Sequence, residues 1–314
     1  MSMTDPTTIA PSQTHTSANG PLLKHAMSSR AKVIESTIDA LLPPTRGGDA
    51  RLVEAMRYAT LGGGKRLRGY LVMETASLFG VPESQSARVA ASVEMLHAYS
   101  LVHDDLPAMD DDDLRRGQPS THRKFDEATA ILAGDALQTK GFEILADAAT
   151  HESAAVRIAV ITAFAQASGA AGMVGGQMID MEGEGRALPL EEVRHLHALK
   201  TGCLIRYSAE AGAILGQAEP ELQQRLRSYG ANIGAAFQIA DDVLDATATA
   251  EELGKTAGKD EASGKSTYVA LLGIDGARAE AERMAKNAID DLAPFGEQAD
   301  RLRDLAYYVI ERRN

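Results

Sequence analysis

Apolar residues recur at steps of three and four along most of this chain, while the strict alternation of a half-buried strand is scarce. The spacing predicts helices near 27–42, 50–61 and 65–79, which stop at Pro43-Pro44, Gly62-Gly63-Gly64 and Gly80-Val81-Pro82. A helix over 84–105 stands apart. From Val89 to Val102 it is apolar on nearly all sides, the pattern of a helix buried inside a larger protein. Further helices are predicted over 127–149, 152–169, 171–182, 190–215, 222–246, 268–273, 275–292 and 298–312. The long segment 190–215 carries Lys200-Thr201-Gly202, and its glycine is a candidate kink. Residues 251–267 lose the period and become rich in Gly and Lys. Together these elements predict an all-α fold: one large helical bundle with a central cavity and its sites on inward-facing helix positions.

The interior helix runs straight into carboxylates. Asp104 and Asp105 end it, and Asp110, Asp111, Asp112 and Asp113 follow, then Arg115 and Arg116. An isolated acidic run is most often a solvated surface loop. Two features argue otherwise here. Bare charge at the end of a buried helix is costly unless it is paired or binds metal. A second acidic group, Asp241-Asp242-Val243-Leu244-Asp245, extends another apolar stripe formed by Leu222, Leu226, Tyr229, Ile233 and Phe237. Asp241 and Asp245 are four residues apart, so about 40° separates them around a helix axis.

Two inward carboxylate clusters make a hard, oxygen-rich environment. That donor set suits Mg²⁺, which keeps several waters and usually bridges carboxylates to substrate phosphates. No Cys/His spacing suggests zinc, and the acidic runs do not fit an EF-hand loop. Basic residues accompany the acids: Lys65 and Arg68 after the triple glycine, Arg115 and Arg116 after the first run, and Lys255, Lys259 and Lys265 after the second. Cations beside metal-binding carboxylates point to a polyanionic ligand, and arginine forks match phosphate oxygens. The Gly62–Arg68 segment lacks the Walker spacing.

Length and composition narrow the remaining classes. The chain has 314 residues, 44% of them hydrophobic, with no Trp. Length alone would suggest about two domains, but no linker divides the chain after residue 50. A formal net charge of −12 argues against nucleic-acid binding. Cys203 is the sole cysteine, so no intrachain disulfide can form, and a reducing compartment is expected. It falls among Leu199, Leu204 and Tyr207, the setting of a small core residue. No uninterrupted apolar run reaches the roughly 20 residues of a membrane span. Residues 1–24, rich in Ser, Thr and Pro, carry no secretory pattern and are expected to be a disordered extension, leaving 25–314 as the domain.

The motifs, in order, resemble the trans-isoprenyl diphosphate synthases, most closely the bacterial farnesyl type. The first aspartate-rich motif is Asp104-Asp105-Leu106-Pro107-Ala108-Met109-Asp110, and the second is Gln238-Ile239-Ala240-Asp241-Asp242 through Asp245. Gly63 to Arg68, His97 and Lys200-Thr201 complete the set, and the resemblance covers about residues 27–314. It implies an isoprenoid-synthase bundle, a cytoplasmic homodimer and condensation of isopentenyl diphosphate with dimethylallyl or geranyl diphosphate to give farnesyl diphosphate. It implies Mg²⁺, three ions with substrate bound, on Asp104, Asp110 and Asp241. Arg115, Lys200, Lys255 and Lys265 would neutralise the allylic diphosphate. Thr201 and Gln238 would face the allylic cation. Lys65, Arg68, His97 and Arg116 would hold isopentenyl diphosphate, and the 251–267 segment would close over the site. An aromatic residue five before the first motif, Tyr99, implies a fifteen-carbon product.

Alternatives remain within reach of the sequence. They are a related synthase of other chain length, a terpene cyclase on a similar scaffold, and a non-catalytic partner subunit. A cyclase would carry an Asn/Ser/Glu-type second motif, and a partner subunit would lose an acidic run; this chain keeps both runs. One geometric conflict stands. On a regular helix Asp104 and Asp110 would lie about 120° apart, whereas Asp104 and Asp111 would nearly align. The family pattern names Asp110, which requires Pro107 to break the helix.

Overall fold

In a computed structural model, residues 20–247 and 266–311 are described, and they are almost wholly helical. The helices are α1 (Gly20–Leu41), α2 (Ala50–Leu61), α3 (Leu67–Ser77), α4 (Glu83–Asp104), α5 (Thr121–Lys124), α6 (Glu127–Ala146), α7 (Ala154–Ser168), α8 (Met173–Gly183), α9 (Leu190–His197), α10 (Cys203–Leu215), α11 (Pro220–Thr247), α12 (Tyr268–Asp291) and α13 (Asp300–Glu311). Among the described residues the only strands are β1 (Leu114–Arg115) and β2 (Gln118–Pro119), paired antiparallel around the tip Arg116-Gly117. Both tip residues have positive φ, 55° and 74°. That is the twist a two-residue hairpin needs, and it lifts Arg116 off the hairpin.

α4 is the central helix, packed by α1, α2, α3, α6 and α10. Thirteen of its residues are buried, including Glu94 and Ser92. Those two polar groups are satisfied: Ser92 Oγ donates to the Gly141 carbonyl at 2.9 Å, and Glu94 Oε1 accepts from Gly69 N–H at 2.8 Å. Gly69 allows that approach. A Cβ there would lie 2.7 Å from Ile34 Cδ1.

One core forms around α4, α6, α7 and α10, with Tyr99, Phe164 and Tyr207 inside it. A second joins α3, α10, α11, α12 and α13 to the start of α1. The first turns of α1 correct the expected boundary. Residues 20–24, assigned to the extension by composition, are helical, and Leu23 is buried against this second core. The Ser- and Thr-rich stretch before Gly20 hid that anchor in the sequence.

One other boundary differs for a physical reason, and two breaks fall where the sequence expects them. The expected single helix over 190–215 is α9 and α10 joined by a π-turn at Ala198–Gly202. α12 is interrupted at Gly273, φ 70°, the break expected between 273 and 275. Residues 154–183 pass for a membrane span by length and composition, with mean hydropathy 1.5 over 18 residues, which the sequence reading did not pick out. As folded, the stretch is two helices, α7 and α8, separated at 169–172.

Candidate active site

Helix α4 delivers the first acidic run, and the chain then turns back on itself. α4 ends at Asp104, before Pro107. Asp110 N–H donates to the Asp104 carbonyl at 2.8 Å, Asp111 N–H to Leu106 at 3.2 Å and Asp112 N–H to Asp105 at 3.2 Å. This closed loop replaces the helical geometry that would have separated Asp104 from Asp110. Asp111 sits in the left-handed region, φ 49°, and is exposed.

The run divides its labour. Asp105 is nearly inaccessible, and both its oxygens accept from Arg115: Nε donates at 3.0 and 3.2 Å, and Nη2 donates as well. Asp104 makes no such pair. Burial pushes its carboxyl up to about 6; Lys200 acts the other way, and neighbouring Asp110 adds to the rise. A carboxylate so desolvated is primed to gain a cation.

Opposite stands the second run, at the end of α11. Asp242 is buried; its Oδ1 accepts from Gln238 Nε2 at 3.1 Å and its Oδ2 from Tyr268 N–H at 2.9 Å. Gln238 Oε1 in turn accepts from Thr201 Oγ1 at 2.9 Å. The π-turn holding Thr201 is pressed between two glycines. A Cβ at Gly176 of α8 would lie 2.2 Å from Lys200 N, and one at Gly234 of α11 would lie 3.0 Å from Gly202 Cα. π-turns of this kind commonly sit at functional positions. Lys200 Nζ lies 2.5 Å from Asp180 Oδ2. Asp180, Lys200, Thr201, Gln238 and Asp242 line a cleft with His197, Ser266 and Thr267. Burial drives His197 down to about 4.

A neighbouring cleft is bounded by Arg66, Glu94, His97, Asp105, Arg115, Arg116 and the hairpin. Burial, reinforced by Arg68, Arg116, Arg115 and Arg66, holds the His97 imidazole well below its usual range. The site is therefore cationic without a charged histidine. Arg68 connects the two clefts electrostatically: burial lowers its pKa, Glu94 counters, and both Arg116 and Asp241 are within range. Its Nε is buried without a hydrogen-bond partner. The Arg116 guanidinium lies over Gly64, where a Cβ would come within 2.2 Å of Nη1.

The structure thus brings Asp104, Asp110, Arg68, His97, Arg115, Arg116, Lys200, Thr201, Gln238 and Asp241 to one end of the bundle. Lys65 is exposed, with Nζ 5.9 Å above the Tyr308 ring, and lines neither cleft. Lys255, Lys259 and Lys265 lie outside the described residues, as does most of the 251–267 segment. Tyr99 is buried five residues before Asp104, edge-on to His103 at 5.6 Å.

Sequence reasoning missed several residues. Arg66, which the sequence did not single out, is buried. It donates to the Thr60 carbonyl at 2.5 Å and to Glu35 at 3.2 Å, and lies 3.7 Å from Glu94. Gly176 and Asp180 were passed over inside the helix expected over 171–182. The available signal was two glycines followed by Gln177 and then an acid one turn on.

The donor set also bears on a metal. Among the described residues no three His, Cys, Asp or Glu side chains gather closely enough to enclose an ion. The described residues therefore build no closed zinc-type site. Two separated carboxylate groups fit a hard divalent cation that completes its shell with water and ligand oxygens.

Residues 49–303 match the polyprenyl synthetase family. The chain is 46% identical to the farnesyl diphosphate synthase of Escherichia coli over 286 residues, 90% of this chain and 96% of that one. It is 40% identical to the farnesyl diphosphate synthase of Bacillus subtilis over 287 residues, 91% and 97% of the two chains. Among solved structures, an FPP/GFPP synthase from Zymomonas mobilis superposes with a TM-score of 0.84 at 44% identity, covering 92% of this chain and 99% of that one. Motifs, helical architecture and relatives agree: the chain belongs to the polyprenyl synthetase family of trans-isoprenyl diphosphate synthases.

Proposed function

We propose that this protein condenses isopentenyl diphosphate with dimethylallyl and then geranyl diphosphate to give farnesyl diphosphate. One observation carries the reading. Lys200 shares a cleft with Gln238 and Asp242 of the second acidic motif and is also the strongest cationic influence on Asp104 of the first. A leaving diphosphate would lie between the two motifs. Family membership implies a divalent cation; we assign it as Mg²⁺, three ions with substrate bound, held by Asp104, Asp110 and Asp241. When bound, Mg²⁺ would neutralise diphosphate charge as the allylic C–O bond breaks.

The chain's own residues do the rest. Arg115 and Lys200, with Lys255 and Lys265 beyond the described residues, donate to the diphosphate and keep it from recapturing the cation. Thr201 donates its proton to Gln238, so its oxygen lone pairs are left to face the allylic cation. Arg68, His97 and Arg116, with Lys65 swung inward from Tyr308, hold the diphosphate of isopentenyl diphosphate. A neutral His97 donates without adding charge. The isopentenyl double bond attacks allylic C1, a C–C bond forms, and the departed diphosphate takes the proton lost from C2. Tyr99 blocks further growth.

We also place the protein in the cytoplasm, as a homodimer. Cys203 is buried and free, and Ile131, Leu132 and Ile158 leave an apolar face exposed on α6 and α7.

Purified protein incubated with Mg²⁺, isopentenyl diphosphate and either allylic diphosphate should yield chiefly a fifteen-carbon product. Products of another length would assign a sister synthase, a hydrocarbon product a cyclase, and no turnover a partner subunit.

A further inference from the structure

Asp180 belongs to neither acidic motif, yet it grips the Lys200 ammonium at 2.5 Å. Both side chains are shielded, with 12% of Asp180 and 27% of Lys200 exposed. Asp180 lies four residues after Gly176, so both face the same side of α8. That one face therefore touches the backbone of the π-turn through Gly176 and holds its side chain through Asp180. Lysine needs such help. Its charge sits on a flexible four-carbon stem that loses much rotamer freedom when fixed. An ammonium has three N–H donors. One directed at Asp180 leaves two for another anion.

We propose that Asp180 is a positioning residue: it parks the Lys200 ammonium, already ordered, where the allylic diphosphate departs. The role rests on the prenyltransferase reading above. Without Asp180 the ammonium would swing, and the charge that meets the leaving group would have to be ordered during each turnover. The loss should then fall on kcat for the allylic substrate, not on capture of isopentenyl diphosphate, which is held by other residues.

The test is steady-state kinetics with Mg²⁺, geranyl diphosphate and isopentenyl diphosphate. It compares the wild type with Asp180→Asn, Asp180→Glu, Lys200→Ala and the double variant Asp180→Asn/Lys200→Ala. Misplacing a catalytic group by about 1 Å can cost about 100-fold. Asp180→Asn should lose roughly 10- to 100-fold in kcat with the KM for isopentenyl diphosphate within about 2-fold. Asp180→Glu should recover part of the loss. In the Lys200→Ala background, Asp180→Asn should have no further effect, because nothing remains to position. Losses that multiply in the double variant, or an equal rise in both KM values with a lower Tm, would overturn the proposal while leaving the prenyltransferase reading intact. A wild type that forms no C–C bond would remove both.

Discussion

The N–H of Asp110 and the carbonyl oxygen of Asp104, six residues apart, meet at 2.8 Å. Pro107 stands between them, and a continued helix would have carried Asp110 to another face. The loop instead folds the acid back beside the residue that begins the motif. Asp111, which ideal helix geometry would have favoured, is exposed and left-handed.

Asp110→Asn should therefore lower kcat by about 100-fold or more, the usual scale for one lost electrostatic contact at a reacting charge. Asp111→Asn should stay within about 3-fold of wild type, and Asp111→Gly should be tolerated because glycine enters the left-handed region freely. Turnover of geranyl diphosphate at saturating Mg²⁺ distinguishes the two sites. A larger loss at Asp111 would reverse the assignment.

Tyr99 closes the interior below Asp104, in the same core as Phe164 and Tyr207. Tyr99→Ala would open space along the path of a growing chain. Chromatography of the dephosphorylated alcohols should show products longer than fifteen carbons. Some loss of stability, about 3 kcal/mol, should accompany the change.

The metal-free protein should weaken in mild acid. His97 and His197 are held neutral, His197 down to about 4. The unfolded chain protonates both below about 6.5. Folding stability from them is thus complete above that pH and falls as pH drops towards 4. For His197 alone the loss is up to about 3 kcal/mol. Urea midpoints in EDTA at pH 7 and pH 4.5 measure it, and His197→Gln should flatten the profile.

Asp104 has the opposite sign. Its carboxyl titrates at about 6 in the folded chain against 3.8 as its ordinary value. Ionised, it destabilises the metal-free fold by about 1–3 kcal/mol. Asp104→Asn should raise Tm at pH 7 by several degrees while abolishing turnover. The advantage over wild type should close as pH falls from about 6 to 4. An unchanged Tm at pH 7 would mean the carboxylate is not under strain.

What could be read in the sequence was whatever depended on contrast. An all-apolar helix ending in aspartates is unlike a surface loop, so α4 and its motif were visible before any coordinates. The second motif was visible for the same reason, as were most helix ends marked by Gly or Pro. What escaped was geometry that periodicity does not encode. A π-turn adds one residue per turn without changing composition, so α9 and α10 read as one helix. Arg66 and Arg68 are two residues apart and chemically identical, yet one is consumed by Glu35, Glu94 and a carbonyl while the other keeps a buried Nε without a hydrogen-bond partner. Asp105 and Asp104 differ likewise: only tertiary position gives the first its arginine. Asp180 was an unremarkable acid on an apolar helix until Lys200 arrived from another element.

The π-turn at Ala198–Gly202 has a bearing on how this scaffold tolerates insertions and deletions. Such a turn is in effect one surplus residue housed within a helix. Excising a single residue there would let the backbone relax to regular α geometry and would leave α9 and α10 close to their present phase, because a π-turn absorbs its extra residue locally. Tyr207, Ala211 and Leu215 would keep their places in the first core, and the change would fall on the bulge itself, where Thr201 meets Gln238. The surplus residue thus lets the cation-facing hydroxyl be placed independently of the helix that packs the interior.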